Sequence, residues 1–140
     1  IIINMKKILI TGASGGIGSS ISDKFLDSNF TLLLTSSSYD KLDNLKKKYG
    51  EKHFYFYLNF NEINSLEESL QSISENHKDL DVIVNNAGTT DDSLLLRMKT
   101  NQWDKVIQAN LSSNFSIIKN LLPNMIKNKS GKIIGISSVV

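Results

Sequence analysis

The sequence has 140 residues, the size of one ordinary domain, and its 40% hydrophobic and 21% charged residues exclude a disordered or fibrous chain. Sixteen Lys and Arg against fourteen Asp and Glu leave a formal charge of +2, too small an excess to direct the chain to nucleic acid or an anionic membrane. Without cysteine there is no disulfide framework, thiolate nucleophile or Cys-ligated zinc, and His53 and His77 lack metal-ligand spacing, so no metal site is expected.

Ile1–Asn4 precede Met5 and read either as a remnant or as an extension of the first strand. Met5–Ile10 imitates a signal peptide, but its apolar run breaks at Thr11-Gly12, short of the roughly 7–15 residues a signal core needs. No stretch approaches the ~20 apolar residues of a membrane span, so a cytoplasmic protein is expected. Lys6–Thr11 reads as a buried strand that ends in a glycine-rich turn. Ile17–Ser28, with Ile17, Ile21, Phe25 and Leu26 along one face, reads as a helix. A second strand follows at Thr31–Thr35, then a charged helix over Asp40–Tyr49 closed by Gly50. His53–Leu58 is aromatic and strand-like, and Ile63–His77 repeats Ile63, Leu66, Leu70 and Ile73 at helical spacing. Asp81–Val84 is a fourth strand. The segment from Asn101 to Lys127 carries Trp103, Val106, Ile107, Leu111, Phe115, Ile118 and Leu122 at helical spacing, with Pro123 placed to bend its last turns. Lys132–Ser137 is a fifth strand.

Strands that are apolar throughout and separated by helices indicate a parallel sheet covered on both faces. Right-handed crossovers then dictate a doubly wound, Rossmann-type α/β sheet. Residues 1–140 are expected to form one dinucleotide-binding domain, truncated after its fifth strand.

Thr11-Gly12-Ala13-Ser14-Gly15-Gly16-Ile17-Gly18 falls where the first strand hands over to the first helix. Backbone N–H groups and a helix N-terminus there suit an anion such as a pyrophosphate, and a Cβ would block close approach. The spacing G-x-x-x-G-x-G matches neither the G-x-G-x-x-G fingerprint nor a P-loop, and a merely tight connection is the alternative reading.

This motif resembles the T-G-x-x-x-G-x-G of the short-chain dehydrogenase/reductase family. Asn85-Asn86-Ala87-Gly88 is similar to that family's N-N-A-G, Asn110 stands where the family has a catalytic asparagine, and Ile136-Ser137-Ser138 resembles the strand-five motif with its catalytic serine at Ser138. Asn86–Met98, Trp103–Leu111 and Gly131–Val140 resemble the 3-oxoacyl-[acyl-carrier-protein] reductases within the family. The resemblance implies cofactor contacts at Gly12, Ala13, Ser14, Gly15, Gly16, Ile17, Gly18, Asn86, Ala87 and Gly88, with Asn59-Phe60 at the adenine. Asn59 also reads as an ordinary turn residue. At the end of the second strand, where an acidic residue selects NAD, the sequence has Ser36-Ser37, which favours NADP(H) over NAD(H). Many NADPH-using relatives carry a basic residue in the glycine-rich loop; here that position is Gly15, and Lys41 is a candidate to replace its charge.

The resemblance implies NADPH-dependent reduction of a 3-oxoacyl thioester on acyl carrier protein. A different ketone or alcohol substrate, or a non-catalytic nucleotide-binding relative, are the alternatives. Ser138 would steady the oxyanion and Asn110 would hold a water chain; a strand-end hydroxyl and a helix residue bonded to backbone are the plainer readings. The family's Y-x-x-x-K is absent, because Tyr39, Tyr49, Tyr55 and Tyr57 all lack a lysine four places on. The 140 residues are therefore expected to be the N-terminal part of a longer, homotetrameric enzyme, inactive and aggregation-prone alone. Lys127, Lys129 and Lys132, with Arg97 and Lys99, are candidates for docking an acidic carrier protein, or form a solvated rim.

Overall fold

Three runs of consecutive apolar residues take the centre of a sheet. In the computed structural model, which describes residues 5–139, the strands are β1 (Lys7–Ile10), β2 (Thr31–Ser36), β3 (Phe54–Tyr57), β4 (Leu80–Asn85) and β5 (Lys132–Gly135). They form one sheet in the order β3-β2-β1-β4-β5, with every pairing parallel. The expected strand extension at Ile1–Asn4, and Val140, lie outside the described residues. The helices are α1 (Gly16–Asp27), α2 (Tyr39–Tyr49), α3 (Ile63–Asn76), α4 (Thr100–Ile107) and α5 (Ser113–Lys127), the last two joined through a π turn at Gln108–Ser112.

The middle residues of the central strands (Ile8–Ile10, Leu32–Leu34 and Val82–Val84) are all apolar because both faces are covered. Leu9, Leu33 and Ile83 point to one face and pack with Leu66, Leu70 and Ile73 of α3 and Ile117, Leu121 and Met125 of α5. Ile8, Ile10, Leu32, Leu34, Val82 and Val84 point to the other, against Leu42, Leu45 and Tyr49 of α2 and the half-buried Ile21 and Phe25 of α1. The doubly wound α/β sheet expected from the sequence is the fold observed.

Two helices approach the sheet on small residues as well as on apolar ones, and part of the apolar stripes read from spacing points outward. α1 buries Gly18 and Ser22, whose Oγ donates to the Gly18 carbonyl at 2.7 Å, while Ile17 is exposed. The π turn and α5 bury Ala109 and Ser113, and Ser113 Oγ donates to the Ala109 carbonyl. Trp103, Leu111 and Phe115 point outward. Small side chains let both helices lie close over β1 and β4, and each buried hydroxyl is satisfied within its own helix. α2 ends, as expected, at Gly50, whose φ of 87° suits a residue without a Cβ and whose N–H donates to the Lys46 carbonyl. α5 runs through Pro123 without a break, and the irregularity falls instead at Gln108–Ser112.

The two histidines are structural. His77 follows α3, buried edge-on to Phe54 at 4.5 Å and Phe56 at 5.8 Å, and its Nδ1 has no partner. Burial, helped by the Lys7 ammonium and opposed by Asp79, pushes its pKa down. His53 Nδ1 accepts the Leu32 N–H at 3.1 Å, which requires an unprotonated nitrogen, and burial followed by Lys52 lowers its pKa as well. Folded, both rings take a proton less readily than at the ~6.5 of an unfolded chain. Their contribution to stability is therefore complete above about pH 6.5 and is lost as the pH falls below it. Urea midpoints are expected to drop between about pH 7.5 and 5.5, and His53→Gln with His77→Gln is expected to flatten that dependence; an unchanged slope in the double variant would refute it.

Candidate functional site

The strand order reverses between β1 and β4, the place where a doubly wound sheet opens a crevice at its carboxyl ends. Thr11, the first residue after β1, closes the base of that crevice. Its N–H donates to the Val84 carbonyl at 3.1 Å, and its Oγ1 accepts the N–H groups of Asn86 and Ala87, both at 3.0 Å. The Asn86 side chain returns the contact, donating from Nδ2 to the Thr11 and Gly12 carbonyls at 3.1 and 3.3 Å. The glycine-rich turn and the N-N-A-G turn are thus one laced structure. Thr11 belongs to the glycine-rich motif, but the motif alone gives its hydroxyl no role. The signal available was a hydroxyl placed next to a strand end.

The glycines of the turn do different things. Gly12 has φ +63°, and a Cβ on it would lie 2.9 Å from the Ala87 Cα. A Cβ on Gly18 would collide with the Gly12 carbonyl and reach within 2.9 Å of Asn86 Nδ2. Both are needed for the loop to pack on its neighbours. Gly16 is different, because a Cβ there would meet nothing within 4 Å. The space in front of it is open, as a site for close approach of a ligand requires.

That space belongs to a cleft of about 540 Å³ lined by Gly12, Ser14, Gly15, Gly16, Ile17 and Gly18 from the first turn, Ser36 and Ser37 after β2, Asn59 and Phe60 after β3, and Asn86, Ala87 and Gly88 after β4. Of the expected cofactor residues, Ala13 alone lies away from it: it is fully buried and holds the loop to β2 through its N–H to the Thr35 carbonyl at 3.0 Å. α1 starts at Gly16 with no side-chain cap and no acidic residue in its first turn, and the N–H groups of Gly16, Ile17 and Gly18 lack intrahelical partners. They supply the partial positive charge of a helix N-terminus at the cleft.

Electrostatically the cleft is one-signed. Lys41 and Lys105 are the only ionisable side chains among its lining residues. Ser36 is buried with its Oγ 3.1 Å from Ser14 Oγ and accepts the Ser38 N–H at 3.3 Å, so its hydroxyl shapes the loop; Ser37 is exposed. Ser38 caps α2, and Lys41 lies in the helix's first turns. Asn59 is engaged locally: Oδ1 accepts the Asn61 N–H at 3.1 Å and Nδ2 donates to Glu62 Oε1 at 2.8 Å, as in an Asx turn. Phe60 is buried, and its carbonyl accepts from Gln108 Nε2 at 3.0 Å, tying this turn to the π turn.

Asn110 lies within the π turn, outside the cleft lining. Its amide grips the backbone of Thr89, with Oδ1 accepting the N–H and Nδ2 donating to the carbonyl, both at 2.8 Å. A Cβ on Gly88 would stand 3.2 Å from Asn110 Oδ1, so the glycine lets the asparagine approach. Ser138 follows β5 on the same side of the sheet, where Ile136 N–H continues the pairing to the Asn85 carbonyl at 2.9 Å. Arg97 and Lys99, between β4 and α4, are also on this side. Lys127, Lys129 and Lys132 flank the start of β5, at the opposite end. Among the described residues no helix is long and apolar enough to cross a membrane, and no group of His, Cys, Asp or Glu is arranged to hold a metal ion.

The family profile for short chain dehydrogenases matches residues 6–140. The chain is 38% identical over 138 residues to the 3-oxoacyl-[acyl-carrier-protein] reductase FabG of Buchnera aphidicola subsp. Acyrthosiphon pisum, with 99% of this chain and 57% of the relative covered. It is 37% identical to that of Thermotoga maritima, covering 96% and 56%. The chain therefore spans little more than half the length of these curated relatives. Among solved structures, a short-chain dehydrogenase from Streptomyces avermitilis superposes with a TM-score of 0.88 at 24% identity, over 96% of this chain and 50% of the other. Serine dehydrogenase from Escherichia coli superposes with a TM-score of 0.83 at 26% identity, over 94% and 61%.

The unequal glycines give a test of the loop. Gly18→Ala is expected to lower stability by about 2 kcal/mol, since backbone must move to admit the methyl. Gly16→Ala, at the first turn of α1, is expected to leave the thermal midpoint unchanged or raised by a few degrees. Circular dichroism melts of the two variants check this; equal losses would show that the loop is not built as described.

Proposed function

We propose that this chain, which belongs to the short chain dehydrogenase family, forms the cofactor-binding part of a cytoplasmic NADPH-dependent reductase acting on 3-oxoacyl thioesters of acyl carrier protein. The observation that carries the reading is the cleft itself: a helix N-terminus, open space before Gly16, and a lining with two lysines and no carboxylate. The names of the FabG relatives support the choice of substrate.

In this reading the first turn of α1 and the glycine-rich loop hold the diphosphate. Ser37 and Lys41, together at the β2 end, hold a ribose 2′-phosphate, where a carboxylate would have repelled it. Asn59 and the Phe60 backbone border the adenine, and Asn86, Ala87 and Gly88 border the far half of the cofactor. The bound dinucleotide supplies a hydride to the substrate carbonyl carbon. The Ser138 hydroxyl donates to the carbonyl oxygen as charge develops on it. Asn110, anchored on Thr89 through both amide atoms, fixes the turn that faces the reacting centre and is assigned to holding the water chain that resupplies the proton. The proton donor is assigned to a Y-x-x-x-K pair outside these residues, since none of the four tyrosines here has the spacing.

Location favours one of the two basic groups. A carrier-bound carbonyl must reach the carboxyl ends of the strands, so Arg97 and Lys99 are assigned to docking and the lysines flanking the start of β5 are not. The exposed Trp103, Leu111 and Phe115 support burial against further subunits, in line with a homotetramer.

The reading is tested on the gene product that carries this chain. It should reduce a 3-oxoacyl-carrier-protein with NADPH, and Ser138→Ala should lower kcat/KM about 100-fold or more with NADPH affinity unchanged. Lys41→Met should weaken NADPH about tenfold and leave NADH within about twofold. Equal affinity for the two cofactors in the unmodified protein would count against the assignment. Arg97→Glu with Lys99→Glu should raise KM for the carrier-bound substrate and not for a small thioester; no change in either would remove the docking surface.

A further inference from the structure

We infer that Lys105 is a second phosphate-directed binding residue of the cleft, serving the part of the dinucleotide that NADH and NADPH share, with Asp91 as the counter-charge that holds it in reserve. The inference rests on the reading of the cleft as a dinucleotide site. Lys41 and Lys105 stand on opposite walls: Lys41 on α2, which packs on one face of the sheet, and Lys105 on α4, which leads into the π turn and α5 on the other. Only the Lys41 wall carries the Ser37 end of β2. A cation on the far wall, one helical turn before Ala109 and on the side of the turn after β3, is set apart from the Ser37 end of β2 and is assigned to the body of the ligand and not to its 2′ substituent. It also restores to the cleft the charge that Gly15 does not supply.

Lys105 is held loosely. Its Nζ lies 3.8 Å from Asp91 Oδ2, close enough for charge attraction and too far for a hydrogen bond, and its side chain is half exposed. Asp91 is held firmly, its Oδ1 accepting from Gln102 Nε2 at 2.7 Å, while Gln102 Oε1 accepts the Lys99 N–H at 2.9 Å. The carboxylate is therefore fixed and the ammonium can turn. An anion entering the cleft competes with Asp91 for it.

The two residues should then act in opposite directions, which a purely structural pair would not do. Binding of NADH and NADPH to the gene product is measured by nicotinamide fluorescence over a series of salt concentrations. Lys105→Met should raise Kd for both cofactors about fivefold and flatten the salt dependence, with Lys105→Arg recovering to within about twofold. Asp91→Asn keeps an acceptor for Gln102 but removes the competing charge, and should lower both Kd values about two- to threefold. If the unmodified protein binds neither cofactor, the dinucleotide reading fails and this inference with it. If it binds both and neither variant moves Kd or its salt dependence, the dinucleotide reading stands and the role of Lys105 is overturned. Loss confined to NADPH would likewise overturn it, by placing Lys105 at the 2′-phosphate.

Discussion

The site depends on one hydroxyl. Thr11 Oγ1 receives two backbone N–H groups from the turn after β4, while its own backbone extends the pairing of β1 with β4. Each of those amides, left buried without an acceptor, would cost about 1–3 kcal/mol, so the two turns have little freedom to part. With them fixed, Asn86 reaches back to the glycine-rich loop, Gly12 can sit against Ala87, and Gly88 is presented to Asn110. The chain of contacts from β1 to the π turn is short, and each step is either a hydrogen bond near 3 Å or an approach that a methyl group would prevent.

The electrostatics of the cleft are local and not inherited from the chain as a whole. A formal charge of +2 over 140 residues predicts no preference for anions. The acids are instead placed elsewhere: Asp23 is bound to Lys48 and Tyr49 between α1 and α2, Asp79 to Lys7 at the amino end of β1, and Glu51 to Lys46 beyond α2. These pairs are at least partly exposed, and such pairs contribute little to stability. Their larger effect is to keep these carboxylates out of the cleft lining, where a helix N-terminus and two lysines remain.

Much of this was legible in the sequence, for identifiable reasons. Runs such as Ile8–Ile10 and Leu32–Leu34 have one reading, as strands buried on both faces, and the residues separating them are long enough only for crossover helices. The loop motif and N-N-A-G fell at strand ends, where backbone geometry is most restricted, and the structure gathers them into one cleft. What the sequence hid is how the helices face. Beside the apolar Ile21, Phe25, Ile117 and Leu121, the sheet is met by Gly18 with Ser22 from α1, and by Ala109 of the π turn with Ser113 of α5, because short side chains allow closer contact. Periodicity scores Ser and Gly as outward residues and so misses these contacts. Charge pairs across loops, such as Asp91 with Lys105, leave no local signature at all.

The π turn at Gln108–Ser112 makes the length of its helix matter. Such a turn is a helix carrying one residue more than its hydrogen-bond ladder needs. Removing a single codon there would let α4 and α5 merge into one regular helix, with the hydrophobic contacts of Ile117, Leu121 and Met125 open to recovery by a small slide. The residues before the deletion would rotate by roughly 100° relative to those after it. Asn110 would swing off Thr89 and Lys105 would turn out of the cleft wall, while the sheet stayed whole. The length of this helix, more than the identity of any residue in it, therefore decides where Asn110 points.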